Sequence, residues 1–121
     1  MSDITSQSLT SLVNNIKEKK LSSEEVTKAF VDRSEKSKEL NSYITEDFSN
    51  AIDKAKKFDE KPNFDLKLPG IPMAVKDLFC TKDIRTTAGS KILENFIPTY
   101  DSIVTQNIWN EGGILLGKLN C

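Results

Sequence analysis

The feature that most constrains the fold is a strand–helix–strand pattern in the second half of the chain. An apolar run, residues 71–77 (IPMAVKD), follows a Pro-Gly turn and is typical of a buried strand. A helical segment containing Val104, Ile108 and Trp109 comes next, and Gly112-Gly113 ends it before a second apolar run, ILLG. This order predicts a βαβ unit with parallel strands.

The first half of the chain is predicted to be mainly helical. One apolar stripe predicts a short helix over residues 8–18. Ser22 followed by Glu25 forms the pattern of a capping box, with Leu21 and Val26 in the hydrophobic staple positions, and so predicts the start of a second helix. A short extended piece begins at Tyr43, and a third helical stripe lies between Phe48 and Phe58. We therefore divide the chain into an N-terminal helical region, residues 1–60, and the start of an α/β core, residues 61–121.

The composition excludes several kinds of chemistry. The 121 residues contain no histidine, which excludes Ser-His-Asp and Cys-His catalysis and any His-ligated metal within this segment. Seventeen basic and eighteen acidic residues give a net charge of -1, which does not indicate binding of the whole chain to nucleic acid or membranes. No apolar run approaches the roughly 20 residues that span a bilayer. Two separate cysteines are too few for a zinc site.

Two glycine-containing stretches are candidates for binding sites. GGILLGKL has the spacing of a phosphate-binding loop, but Leu119 occupies the position of the magnesium-binding hydroxyl. Ile and Leu in its middle favour a buried strand instead. The loop RTTAGS, residues 85–90, offers hydroxyls and free N–H groups, so the sequence is equally compatible with a pocket wall and an ordinary loop.

Lys76 is the candidate functional residue that the pattern singles out. It lies at the expected C-terminal end of a parallel strand, where α/β proteins commonly place their sites. Apolar neighbours such as Met73 and Val75 would desolvate the lysine and favour its neutral, basic form. The alternative is a strand-end lysine paired with a carboxylate such as that of Asp77, and the residues alone leave both open.

The stretch from Leu68 to Cys121 resembles the start of the amidase signature family. The Pro-Gly-Ile-Pro turn, VKD, LFCTK, the RTT loop, ENF-P-YD-S-V and GG-x-L-LGK-N occur in that family's order. Within the family, the segment is similar to the A subunits of the amidotransferases that act on tRNA(Asn) and tRNA(Gln). The helical region before it, with LSSEEVTKAFVDR, fits more loosely.

The resemblance implies a serine–serine–lysine mechanism in which Lys76 is the catalytic lysine. Unprotonated, it would take a proton through a bridging serine from a nucleophilic serine, which attacks the side-chain amide of glutamine and releases ammonia. The glycine- and serine-rich segments that carry both serines in the family have no counterpart here, and neither Ser90 nor Ser102 lies in such a context. We therefore expect an incomplete domain that is inactive alone, with a mixed sheet as in the family.

The resemblance also sets expectations for partners, cofactors and location. It implies a cytoplasmic heterotrimer with B and C subunits, in which misacylated tRNA is bound through the B subunit, and no association with membranes. No cofactor is expected in this segment, whereas the full complex uses ATP and magnesium. Two other hypotheses remain: a general amidase of the same family, and a non-catalytic binding module. The choice between Gln-tRNA and Asn-tRNA as product also stays open.

Overall fold

The computed structural model describes residues 3–121 and contains four α-helices and three β-strands within that range. The elements, in chain order, are α1 (Leu9–Lys17), α2 (Ser23–Lys36), β1 (Tyr43–Glu46), α3 (Phe48–Glu60), β2 (Pro72–Lys76), α4 (Ile103–Asn110) and β3 (Ile114–Leu119). Short 3₁₀ turns lie at Ile4–Ser6, Lys38–Leu40 and Lys91–Leu93. The predicted helices and strands are therefore present, with ends that shift by a few residues at most.

Local side-chain hydrogen bonds set where the helices begin. Ser22 Oγ accepts the backbone N–H of Glu25 at 3.0 Å, and the Glu25 carboxylate accepts the N–H of Ser22, which confirms the predicted capping box of α2. Asp59 of α3 adds two acceptors for the N–H groups of Ser23 and Glu24, each at 2.9 Å. The start of α2 is thus tied to α3 as well as capped locally.

The three strands form a mixed sheet with the order β1-β3-β2. β2 and β3 are parallel, as the βαβ pattern predicted, with Val75 opposite Lys118 and Lys76 opposite Leu119. β1 pairs antiparallel with the other edge of β3, so the predominantly helical first half of the chain contributes a strand to the sheet. The sheet thus contains strands from both sides of residue 60. The division of the chain into two regions at that residue stays a prediction.

Two apolar clusters hold the helices against this sheet. In the first, α3 packs on β3 through buried residues that are mostly small on the helix and large on the strand: Phe48, Ala51, Ala55, Ile114 and Leu116. In the second, α1 and α2 pack around the turn that precedes β2 through Leu12, Ile16, Val26 and Ile71. Burial of these side chains contributes about 1.5–3 kcal/mol for each large one, and it places the turn before β2 firmly against α2.

Gly70 is the point where that turn comes too close to α2 for any side chain. Its φ is +66°, and a Cβ at this position would lie 2.6 Å from Ser23 Oγ and 2.8 Å from the Phe58 ring. Ser23 Oγ donates a hydrogen bond to the Gly70 carbonyl at 2.6 Å, so the two backbones cannot separate without losing it. The glycine therefore fixes the approach of β2 to α2.

We predict that Gly70→Ala strongly reduces the yield of folded chain, because backbone strain and a steric clash add at this site. Gly89→Ala is the matched control: Gly89 has a similar φ of +71°, but its nearest contact for a Cβ is 3.8 Å away, so only strain of about 1 kcal/mol is expected. Soluble yield and resistance to limited proteolysis measure both variants. Equal losses in the two would show that the contact with α2 is unimportant.

Candidate functional site

The candidate site lies at the C-terminal end of β2, beside the central strand β3. Lys76 is the last residue of β2, and its side chain is exposed. Among residues 3–121 that side chain has no hydrogen-bond or ion-pair partner, and the Asp77 carboxylate faces Lys118 instead. Its position at the end of a strand that is parallel to β3 agrees with the prediction.

The environment predicted for Lys76 is not found within the described residues. Val75 and Asp77 on either side of it are buried, whereas Lys76 itself and Leu78 are exposed. Successive side chains of a strand point to opposite faces, so Lys76 lies on the open face while its neighbours point into the protein. The apolar residues of the strand therefore do not desolvate Lys76, and its catalytic role stays a prediction.

The buried cation at this end of the sheet is Lys118, which was not among the functional residues predicted from the sequence. Its side chain is completely buried at the centre of the sheet, opposite Val75. The Nζ atom donates to the Phe79 carbonyl at 2.8 Å, to Thr86 Oγ1 at 2.8 Å and to Thr81 Oγ1 at 3.1 Å. Three acceptors match the three protons of an ammonium group.

The two threonine hydroxyls are oriented as acceptors for Lys118. Thr81 Oγ1 and Thr86 Oγ1 can each donate to the Ile84 carbonyl, at 3.3 Å and 3.2 Å, which leaves their lone pairs for the ammonium. Burial lowers the pKa of Lys118, and the nearby Asp77 carboxylate opposes that change. The three oxygen acceptors and the Asp77 carboxylate are the partners that a charged amine requires when it is buried.

Asp77 supplies the negative charge opposite Lys118 and is equally buried. Its Oδ1 lies 3.6 Å from Lys118 Nζ and has no hydrogen-bond partner among the described residues. Its Oδ2 accepts hydrogen bonds from both the N–H and the hydroxyl of Thr87. The backbone of Asp77 is also held, since its N–H donates to the Leu119 carbonyl and its carbonyl accepts from Ala88.

The RTT loop is hydrogen-bonded to β1, to β3 and to the residue that follows β2. Arg85 donates to Thr45 Oγ1 at 3.1 Å and to the Ile44 carbonyl at 3.2 Å, which attaches the loop to β1. Thr86 reaches Lys118 and Thr87 reaches Asp77. The first three residues of the loop thus have structural contacts, and its use as a pocket wall stays a prediction.

The remaining motifs have structural roles. The GGILLGKL stretch forms the buried strand β3 and not a phosphate-binding loop, as predicted. Ser102 caps α4 by accepting the N–H of Thr105, and Ser90 caps the Lys91–Leu93 turn. Both hydroxyls thus serve as caps, and residues 3–121 contain no group of His, Cys, Asp or Glu able to hold a metal.

Comparison with known proteins identifies the family. The family model described as Amidase matches residues 25–121. The A subunit of the glutamyl-tRNA(Gln) amidotransferase of Pelagibacter ubique (strain HTCC1062) is 79% identical over all 121 residues. The corresponding protein of Rickettsia bellii (strain OSU 85-389) is 47% identical over 99% of the chain. The chain spans about a quarter of the length of these relatives, 25% in both cases.

Solved structures give the same result for the fold. A fatty acid amide hydrolase superposes with a TM-score of 0.89 at 25% identity, covering 98% of this chain and 22% of its own. An amidase family protein from Bacillus anthracis str. Ames superposes with a TM-score of 0.86 at 30% identity, over 97% of this chain and 24% of its own. The described fold superposes on about a quarter of each of these longer chains, which agrees with the predicted incomplete domain.

We predict that Lys118→Met destabilises the protein by about 3–5 kcal/mol, because it leaves the Asp77 carboxylate buried without a cation. Adding Asp77→Asn should recover much of that loss, since both charges are then removed. Chemical denaturation of a chimera, in which this segment replaces the N-terminal quarter of the Pelagibacter ubique relative, measures both variants. The exposed Lys82→Met is the control, with a change within about 0.5 kcal/mol. A double variant less stable than Lys118→Met would contradict the pairing.

Over residues 3–121, none of the helices has both the length and the apolar character needed to cross a lipid bilayer.

The family model covers about four-fifths of the chain, and both the order of elements and the superpositions agree with it. The chain belongs to the amidase family.

Proposed function

We propose that this chain is the N-terminal part of the glutamine-hydrolysing A subunit of a tRNA-dependent amidotransferase. The observation that carries the proposal is the 79% identity over the whole chain to a protein named as that subunit. The position of Lys76 supports it: a lysine without a partner among the described residues ends a parallel strand next to the central strand of the sheet. The carboxyl ends of such strands are where α/β proteins commonly bind substrates.

In the proposed reaction Lys76 is the general base. Its neutral amine takes a proton, through a bridging serine, from a nucleophilic serine, and both serines come from the remainder of the subunit. The serine oxygen forms a bond to the side-chain carbonyl carbon of glutamine, the carbon–nitrogen bond breaks, and the proton leaves with ammonia. Water then hydrolyses the acyl-enzyme to glutamate. Because Lys76 is exposed here, the face that covers and desolvates it must also come from the remainder of the subunit.

The ammonia would be used in a second subunit. We propose that the A subunit works in the cytoplasm with B and C subunits, and that the B subunit holds the misacylated tRNA together with ATP and magnesium. The activated carboxylate of Glu-tRNA(Gln) or Asp-tRNA(Asn) accepts the ammonia there and becomes the amide. This segment contributes to the glutaminase half of the reaction and binds no cofactor of its own in the proposal.

We predict that Lys76→Ala reduces ammonia release from glutamine by about 10²–10⁴-fold, the range expected for a general base. The assay uses the chimera with the Pelagibacter ubique relative, in complex with the partner subunits of that organism. Lys82→Ala, an exposed lysine of the following loop, is the control and should retain activity close to that of the unsubstituted chimera. More than a tenth of the activity remaining in Lys76→Ala would refute the role.

A second candidate function is hydrolysis of simple amides, which is favoured by the superposition on a fatty acid amide hydrolase. The same chimera separates the two. The amidotransferase predicts ammonia release from glutamine that is coupled to ATP-dependent amidation of Glu-tRNA(Gln), Asp-tRNA(Asn) or both. Hydrolysis of simple amides without any amidation of tRNA would favour the second candidate.

A further inference from the structure

The buried pair of Lys118 and Asp77 has no role in the proposed chemistry, yet it lies next to the proposed base, on the buried face of the sheet. Asp77 is the residue after Lys76, and Lys118 lies opposite Val75, the residue before it. Both charged side chains are completely buried, whereas Lys76 is exposed. The side chains of the pair and that of the base thus lie on opposite faces of the sheet at the end of β2.

We propose that Lys118 is a positioning residue for Lys76: its ammonium ties the end of β2 and the following loop to the central strand. This inference rests on the proposed function, in which Lys76 is the base. It assigns to Lys118 no contact with the substrate and no part in proton transfer. Its effect on the reaction passes through the backbone that carries Lys76.

The first support is what the ammonium connects. From β3 it reaches the carbonyl of Phe79, in the turn after β2, and the hydroxyls of Thr81 and Thr86, in the loop beyond. Thr86 N–H is itself bound to the Phe96 carbonyl at 3.0 Å, so the loop is fixed at both ends. One cation therefore joins β3, the end of β2 and the loop over residues 79–86.

The second support is how completely Asp77 is held. Its N–H donates to Leu119 at 3.0 Å, its carbonyl accepts from Ala88 at 2.8 Å, and its carboxylate accepts from Thr87 and faces Lys118. The peptide unit that joins Lys76 to Asp77 is consequently fixed on its Asp77 side through both backbone and side chain. A base must lie within hydrogen-bond reach of its proton, and a shift of about 1 Å in such a group can cost about 100-fold in rate.

The third support is the cost of the arrangement. An apolar pair of similar volume would often give equal or greater stability than a buried ion pair. Stability alone therefore does not account for two opposite charges in a fully buried strand end. Hydrogen bonds are directional, so they fix the position of the Lys118 amine relative to three separate oxygen atoms. Apolar packing does not provide this directionality.

The test is a set of threonine and lysine variants in the assembled chimera, with steady-state glutaminase kinetics. Thr86→Val keeps the size of the side chain, leaves both charges in place and removes one acceptor of Lys118. We expect kcat for ammonia release to fall at least about tenfold, with the KM for glutamine within about twofold, as for loss of geometry at the reacting atoms. Lys118→Met should lower kcat further, and Lys118→Arg should restore part of it.

Thr27→Val is the matched control. Thr27 is a fully buried threonine of α2 whose hydroxyl has no hydrogen-bond partner among residues 3–121, so its loss should change neither kcat nor KM. If Lys118→Met does not fold, the comparison of Thr86→Val with Thr27→Val still decides. A kcat in Thr86→Val equal to that in Thr27→Val overturns the proposal, as does a loss confined to KM or to thermal stability.

Failure of the proposal is separable from failure of the proposed function. Glutaminase activity that is lost in Lys76→Ala but unchanged in Thr86→Val leaves the function standing and removes the positioning role. Activity retained in Lys76→Ala removes the base itself, and with it the function that Lys118 is proposed to serve. A loss of kcat in both variants supports both statements.

Discussion

One buried side chain, that of Lys118, organises the end of the sheet at which β2 terminates. Lys118 comes from the central strand and holds three oxygen atoms from the turn after β2 and from the RTT loop. A charged amine cannot be buried without such partners, so the loop must fold over it for the strand to be stable. The path of the chain from β2 to Thr86 therefore brings three oxygen atoms to this one group.

Contacts elsewhere in the described structure fix the strands that lead to that end of the sheet. Gly70 and Ser23 fix where β2 begins, and the cluster of α3 with Ile114 and Leu116 fixes the central strand. Arg85 then attaches the loop to β1 on the far edge. The result is a strand end held from the core, with Lys76 on its open face, where a catalytic base could meet a substrate.

Features that depend on neighbouring residues were predictable from the sequence. The capping box at Ser22, the helical stripes and the buried strand in GGILLGKL are local patterns, and the structure confirms each one. The environment of Lys76 was not predictable, because it depends on which face of β2 the helices cover. The burial of Lys118 had a signal in the sequence, since a lysine within the apolar run ILLGKL resembles the lysine at position 76. Its partners, however, come from a loop more than 30 residues earlier in the chain, which no local pattern reveals.

The most direct test of this account is hydrogen exchange at the end of β2 in the assembled chimera. The amides of Asp77 and Ala88 are both hydrogen-bonded around the proposed base, and peptides covering residues 77–88 report on them. If Lys118 holds this strand end, Thr86→Val should speed their exchange at least about tenfold, while peptides from α3 remain unchanged. Exchange as slow as in the unsubstituted chimera would show that the strand end is held without the buried cation.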